Sequence, residues 1–337
     1  MKKFVRVLLI LAACLACLGV VLTAVGGFWS ARVYNRLIPE EAVSISFPLN
    51  ADTLSSLTLN VGVGEVRFAE APSPEAARID TEGFSEGDFT FSENKQGEVV
   101  LCSRSMLGGE SIFNLGFLRM DWLGRLHTGT LARRIVTVYL PAGQLDRLRI
   151  EDGTGDIGGT LPVSARELSI SCGTGNVKLS GLRADDISIE AGMGNITLDQ
   201  LICKKLTVSG GTGGLTLRDG EASESAVFEL GTGTTQLHRV ALHKLDLSAG
   251  VGSLSLSGTL RGDCEIELGV GSSDIHLLEP SAHYSAEIER GLGNLSVSGA
   301  NVLRLDDETE AISPDGDADC QLKIQMGMGS LALSFDP

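Results

Sequence analysis

Residues 168–179 read LSISCGTGNVKL, and this stretch decides the fold. Leu168, Ile170 and Cys172 alternate with serines, so an extended chain here has one apolar face. Gly173-Thr174-Gly175 follows, and then Val177 and Leu179 alternate again on the opposite parity. A straight strand with that pattern turns half of its apolar side chains to water. The chain must bend or bulge at Gly-x-Gly, where glycine accepts backbone angles closed to other residues.

The phrase is written nine times, at Gly153/Gly155, Gly173/Gly175, Gly192/Gly194, Gly211/Gly213, Gly231/Gly233, Gly250/Gly252, Gly269/Gly271, Gly291/Gly293 and Gly327/Gly329, and these are the expected turn glycines. Successive first glycines are 20, 19, 19, 20, 19, 19, 22 and 36 residues apart. Apolar pairs precede them, as in Ile187/Ile189, Leu206/Val208, Leu245/Leu247 and Leu322/Ile324. Others follow, as in Ile196/Leu198, Leu215/Leu217, Leu254/Leu256 and Leu295/Val297. A third apolar position recurs at Leu182, Leu201, Val240 and Leu278, so each coil holds two short strands and a return segment. A near-constant period of this size marks a solenoid. One coil alone buries too few side chains to offset the conformational entropy of ordering it. Stacking joins the inward side chains into one column and carries backbone hydrogen bonds from coil to coil. The expected fold is all-β, a single-chain β-solenoid or β-helix with 19 or 20 residues per coil. Nine coils at ~4.8 Å each make a rod of roughly 40 Å.

The chain start is a different object. Lys2, Lys3 and Arg6 precede an uncharged apolar run from Val7 to Trp29, and Arg32, Tyr34 and Arg36 follow it. That run is long enough for a transmembrane helix, and the positive N-terminus favours the cytoplasmic side for it. The expectation is a single-pass cell-membrane anchor over residues 1–36 with the remainder extracytoplasmic. A cleaved signal peptide and a lipobox at Leu11-Ala12-Ala13-Cys14 are the rival readings. The run continues well past Cys14, unlike a lipoprotein leader, and its length exceeds an ordinary signal core. Residues 1–36 carry five basic residues and no acid; the rest carries 22 basic and 43 acidic residues. A rod with a net charge of −21 beyond the anchor does not bind nucleic acid by phosphate neutralisation.

Residues 37–141 read as leading strands or a cap, and residues 142–337 as the regular coils. An outlying copy of the phrase, Leu57, Leu59, Gly62-Val63-Gly64, Val66 and Phe68, precedes the array by 91 residues. Strands are expected near Arg78–Thr81, Phe89–Ser92, Val99–Cys102 and Ile135–Leu140. Inside the cap, the insertion 102–133 carries Ile112, Phe113, Phe117, Leu118, Trp122 and Leu123. These form either a plug for the end of the core or a patch for a membrane surface or partner. Residues 306–319 are an acidic loop before the last coil, which accounts for the long final spacing.

No catalytic, cofactor or metal residues are assigned. Gly153-Thr154-Gly155-Asp156-Ile157-Gly158 matches a dinucleotide fingerprint, but it belongs to the array and no helix pattern follows. A calcium β-roll needs a ladder of aspartates; the position after the second glycine is Asp156, then Asn176, Asn195, Gly214, Thr234 and Ser253. Such residues bond to nearby backbone at turns. His127, His238, His243, His276 and His283 form no ligand-spaced cluster. The seven cysteines include no CxxC beyond the anchor, and Cys172 and Cys264 fall at inward positions as small hydrophobes.

Ile135-Val136-Thr137-Val138-Tyr139-Leu140-Pro141, Leu145–Ile150 and Gly153–Ile157, with the Gly-x-Gly phrases that follow, resemble the bacterial DUF4097 "putative adhesin" family. The resemblance covers roughly residues 45–335. It implies a β-solenoid, exported or tethered by an N-terminal helix, in cell-envelope contexts that include Lia-type envelope stress. It carries over no catalytic residue, and the insertion 102–133 departs from the family pattern. The functional expectation is a membrane-tethered, non-enzymatic, adhesin-like module that binds an envelope protein or wall polymer. The alternatives are a glycan-acting enzyme on a β-helix scaffold, and rods that assemble end to end through the strand edges of Leu322–Phe335.

Overall fold

The computed structural model describes residues 43–84, 87–103, 133–161, 163–305, 308–313 and 318–337. The expected anchor therefore lies outside the described residues. Among those described, no helix is long and apolar enough to cross a membrane.

The chain is all-β. In order the strands are β1 (Val43–Pro48), β2 (Ser56–Asn60), β3 (Glu65–Glu70), β4 (Arg78–Phe84), β5 (Phe89–Glu93), β6 (Glu98–Ser103) and β7 (Ile135–Leu140). The stack continues through β8 (Gly143–Thr154), β9 (Ile157–Thr160), β10 (Val163–Thr174), β11 (Val177–Ser180), β12 (Arg183–Met193), β13 (Ile196–Thr212), β14 (Leu215–His243) and β15 (Leu245–Leu277). It closes with β16 (Tyr284–Ser298), β17 (Leu303–Arg304), β18 (Thr309–Ile312) and β19 (Cys320–Phe335). From β8 to β15 each rung pairs in parallel with the next, phrase on phrase, as in Ile170↔Ile189 and Val208↔Phe228.

The parity change at Gly-x-Gly is real. Leu168, Ile170 and Cys172 are buried before it, and Val177 and Leu179 are buried after it. Glycine is required here for a second reason besides the bend. A Cβ on Gly173 would stand 2.6 Å from the Gly153 carbonyl oxygen of the rung below, and one on Gly175 (φ +144°) would collide with the Gly155 carbonyl. At this edge the rungs stack backbone on backbone with no room for a side chain.

The pairs are not all turns, however. Gly194 (φ +138°) interrupts the strand, lying between β12 and β13, and a Cβ on it would collide with the Gly175 carbonyl. Gly293 (φ +156°) lies instead inside the unbroken strand β16, so its pair is a kink within a strand. The physical reason is that the ladder passes straight through it, with Gly293 paired to Gly329. A Cβ on Gly293 would collide with the carbonyl of that partner.

The return segment adds a third side, holding Leu182, Leu201 and Val240 in the core. Leu278, expected with them, is instead 38% exposed: its amide still donates to the Gly258 carbonyl at 2.9 Å, but the strand ends just before it at Leu277. The corner into that third side is turned by a left-handed residue: Gly181 (φ +73°), Gln200 (φ +59°), Asp219 (φ +55°) and Arg239 (φ +52°).

Both ends depart from sequence order. The outlying phrase is not outlying in space. β2 lies between β6 and β8, β3 lies between β7 and β9, and the Thr154 amide donates to the Gly62 carbonyl at 2.9 Å. The first rung of the sequence is thus second in the stack. At the other end β19 pairs with β15 on one side and β16 on the other. The last phrase is second to last, and the expected free edge at Leu322–Phe335 does not exist. The 22-residue spacing from Gly269 to Gly291 explains how. Three residues beyond the usual 19 carry the chain past one additional rung, at ~3.3 Å per residue against a ~4.8 Å rung. At each end, antiparallel strands then cover the outermost rung. β4 and β5 pair with β7 and β6, and β18 pairs with the first half of β16. Covering parallel edges in this way suppresses uncontrolled strand addition.

Candidate binding surface

The patch residues Ile112, Phe113, Phe117, Leu118, Trp122 and Leu123 lie outside the described residues. The glycines of the phrase line one long edge, and the residue between each pair projects from it. In the first rungs of the array this residue is Thr154, Thr174, Met193, Thr212 or Thr232. Toward the other end it becomes Val251, Val270, Met328 and Leu292, 49–71% exposed. Rung order makes these four consecutive. The Gly250 and Gly252 backbone lies under Gly269 and Gly271, Val270 pairs with Met328, and Met328 pairs with Leu292. Four apolar side chains therefore stand in file, each flanked by bare glycine.

A polar file runs beside the apolar one. The residues after the second glycines are Ser253, Ser272, Ser330 and Asn294. Earlier in the stack the same position makes a side-chain ladder. The Asn176 amide N–H donates to Asp156 Oδ1 at 2.7 Å, the Asn195 amide to Asn176 Oδ1 at 3.0 Å, and the Gly214 amide to Asn195 Oδ1 at 2.8 Å. These side chains bind the backbone of the next rung, not of their own turn. Where the ladder gives way to serines, the hydroxyls line the apolar file. Ser253 Oγ donates to Thr234 Oγ1 at 3.3 Å, and Ser272 and Ser330 are exposed.

A groove of about 590 Å³ opens on another face near the same end. Asp246, Asp263, Glu265, Glu287, Lys244 and Lys323 line it together with Leu305 and Ala311 beside the β17–β18 strands. Lys323 Nζ lies 3.5 Å from Glu265 Oε1. Ion pairs such as Arg239–Asp219 and Lys204–Asp185 link successive rungs elsewhere. These are exposed and add little stability.

One carboxyl lies inside the column. Asp152 is 3% exposed, and neither oxygen has a hydrogen-bond partner. Burial pushes its pKa up to about 7, the nearby Asp156 carboxylate adds to this, and the Thr154 amide offsets a part. That amide is already committed to Gly62. Cys172, on the next rung, is pushed up to about 11, chiefly by burial. Among the described residues, no group of three or more His, Cys, Asp or Glu side chains is placed to hold a metal. His276 and His283 hydrogen-bond to Asp336 (2.9 Å) and Asp319 (2.6 Å), which ties them to structural pairs.

Parallel rungs around one apolar column, each kinked at paired glycines, define a β-solenoid. The chain belongs to the Toastrack DUF4097 family, whose model matches residues 111–327. No curated protein matches it. Two solved structures are similar to it at low identity. One is a "putative cell adhesion protein" from Clostridium sporogenes ATCC 15579, 11% identical over 88% of this chain and 100% of that one, with a TM-score of 0.28. The other is a "putative adhesin" from Bacteroides fragilis NCTC 9343, 11% identical over 88% of this chain and 98% of that one, with a TM-score of 0.35.

The exposed file was not among the site residues expected from the sequence. Its signal is nonetheless present: the inter-glycine residue, threonine in the early phrases except Met193, is valine, leucine or methionine in all the later ones. Flanking glycines leave such a side chain no neighbour on its own strand to pack on.

Proposed function

We propose that this chain is a non-enzymatic, adhesin-like binding rod that grips an extended wall polymer along its glycine edge. The observation that carries the reading is the double file: Val251, Val270, Met328 and Leu292 beside Ser253, Ser272, Ser330 and Asn294. Sugar rings have apolar faces and hydroxyl rims, and a file of each kind side by side meets both. Single exposed apolar residues are ordinary on a protein surface; a contiguous file marks an interaction site. Residues 1–36 are read as the membrane tether, with the rod on the extracytoplasmic side, where wall polymer is found. The net negative charge supports a rod that stands away from an anionic membrane surface.

Co-sedimentation with purified insoluble cell-wall glycan tests this reading. The chain is expected to pellet with the glycan. A variant carrying Val270→Ser, Leu292→Ser and Met328→Ser is expected to stay in solution while unfolding at a similar temperature. A wild-type chain that never pellets, or a variant that pellets equally, overturns the reading.

The carboxylate-lined groove favours a second reading, action on a glycan, since glycoside hydrolysis needs two carboxyl groups facing one bond. Release of reducing ends from the same glycan, abolished by Asp246→Asn or Glu287→Gln, would establish it. Absence of release dismisses it.

A further inference from the structure

β19 joins the stack differently from the rungs of β8 to β15. Between the β8–β9 rung and the last rung of β15, each rung is continuous with the rungs on both sides of it, so none of these can leave without unwinding the stack. For β19 the chain leaves β15, skips a rung, forms β16, covers that rung with β18, and only then fills the gap with β19. Withdrawing β19 disturbs no earlier rung connection. It leaves a slot one strand wide between Gly262–Leu277 and Tyr284–Ser298.

The slot accepts only a strand that carries the repeat phrase. Leu322, Ile324, Leu331 and Leu333 fill the inward column at 2% exposure or less. The Gly327 and Gly329 backbone fits between the glycine pairs at Gly269/Gly271 and Gly291/Gly293, where a side chain on either would collide with the neighbouring backbone. Register is continuous on both sides, from Gly262↔Cys320 to Leu277↔Phe335 and from Tyr284↔Cys320 to Ser298↔Ser334. Any occupant must reproduce an apolar alternation, a Gly-x-Gly and a second alternation of reversed parity. A second copy of the chain supplies that strand.

We propose that β19 is an exchangeable rung, and that the slot between β15 and β16 accepts β19 of a second copy, giving a strand-swapped dimer. Every contact made within one chain is remade between two, so the two states differ mainly in tether and association entropy. Concentration during folding decides between them. Once seated, β19 is held on both edges, so the states interconvert slowly.

The Lys323–Glu265 pair provides a native reporter, because it joins β19 to β15 and both side chains are about half exposed. Full-length chain in mild detergent, half of it labelled with ¹⁵N, is unfolded and refolded at low and at high concentration. Monomer and dimer are separated and treated with a carbodiimide, which joins Lys323 to Glu265 without a spacer. In the dimer, about half of the Lys323–Glu265 peptides are expected to pair one labelled with one unlabelled half, the statistical share for random swapped pairs. The monomer is expected to give none. A synthetic peptide of residues 320–335, present in excess during refolding, is expected to lower dimer yield about tenfold by filling slots in trans. No dimer at high concentration, a dimer with only same-label peptides, or a yield indifferent to the peptide overturns the proposal.

Discussion

Cys172 sits one rung above Asp152 in the inward column, and the carboxyl below it has no hydrogen-bond partner for either oxygen. The same position holds Ala191 and Gly210 on later rungs, so a charge-bearing residue there is out of pattern. Burial without a partner makes Asp152 favour the neutral acid in the fold.

This gives a pH dependence with a definite sign. The folded pKa of Asp152 is about 7 and the ordinary value is 3.8. Between those values the folded chain holds a proton that the unfolded chain has released. Stability therefore falls as pH rises from about 4 to about 7, and the loss is complete and constant above that. The loss is on the order of 4 kcal/mol. Asp152→Ala is expected to remove this slope and to unfold at higher urea than wild type at pH 8. Urea midpoints measured from pH 4 to pH 8 check it; parallel curves for the two proteins would contradict it.

Backbone stacking at the glycine edge predicts that Gly175→Ala destabilises by about 3 kcal/mol or more. The exposed Thr174→Ala beside it should change stability by less than about 0.5 kcal/mol. Chemical denaturation of the two variants checks this, and equal stability of the two would contradict it.

The side-chain ladder predicts that Asn195→Ala costs about 0.5–1.5 kcal/mol, because the Gly214 amide loses its acceptor to water. Ser188→Ala, on the outer face of the same rung between the buried Ile187 and Ile189, serves as the control and should be close to neutral. Thermal unfolding of the pair measures the difference.

Rung order sets apart two residues that sequence position ranks the other way. Ile324, from the last phrase, is fully buried, whereas Leu295, from an earlier one, is only partly buried on the outermost rung. Ile324→Ala is expected to cost about 2–5 kcal/mol and Leu295→Ala clearly less. Amides of residues 330–335 should also outlast those of 294–298 in hydrogen exchange.

The repeat made the architecture legible. Opposite parity around Gly173-Thr174-Gly175 required a bend, and the near-constant period required stacking. Strands expected near Arg78–Thr81, Phe89–Ser92, Val99–Cys102 and Ile135–Leu140 appear as β4 to β7. Rung order was not legible, because every phrase offers its neighbours the same pattern and no local feature says which phrase it meets. Only the longer Gly269–Gly291 step hinted at a skipped rung. Nor does the phrase itself say whether its glycines break the strand, as at Gly194, or only kink it, as at Gly293. Asp152 could have been noticed as an acid at an inward position, one residue before a glycine pair. The file of Val251, Val270, Leu292 and Met328 needed both the outward direction of the inter-glycine residue and the insertion of β19. Without that insertion Val270 and Leu292 would be neighbours and Met328 would end the row.

The insertion of β19 underlies both the continuous binding file and the exchangeable rung, and cysteine pairs test it directly. Ser272→Cys with Ser330→Cys places two thiols on adjacent rungs, about 4.8 Å apart along the stack, whereas Ser272→Cys with Asn294→Cys places them about 9.6 Å apart. Under mild oxidation, peptide mapping is expected to find the 272–330 disulfide form readily and the 272–294 disulfide barely at all. The reverse result would mean that the last phrase ends the rod, and the inserted rung would have to be abandoned.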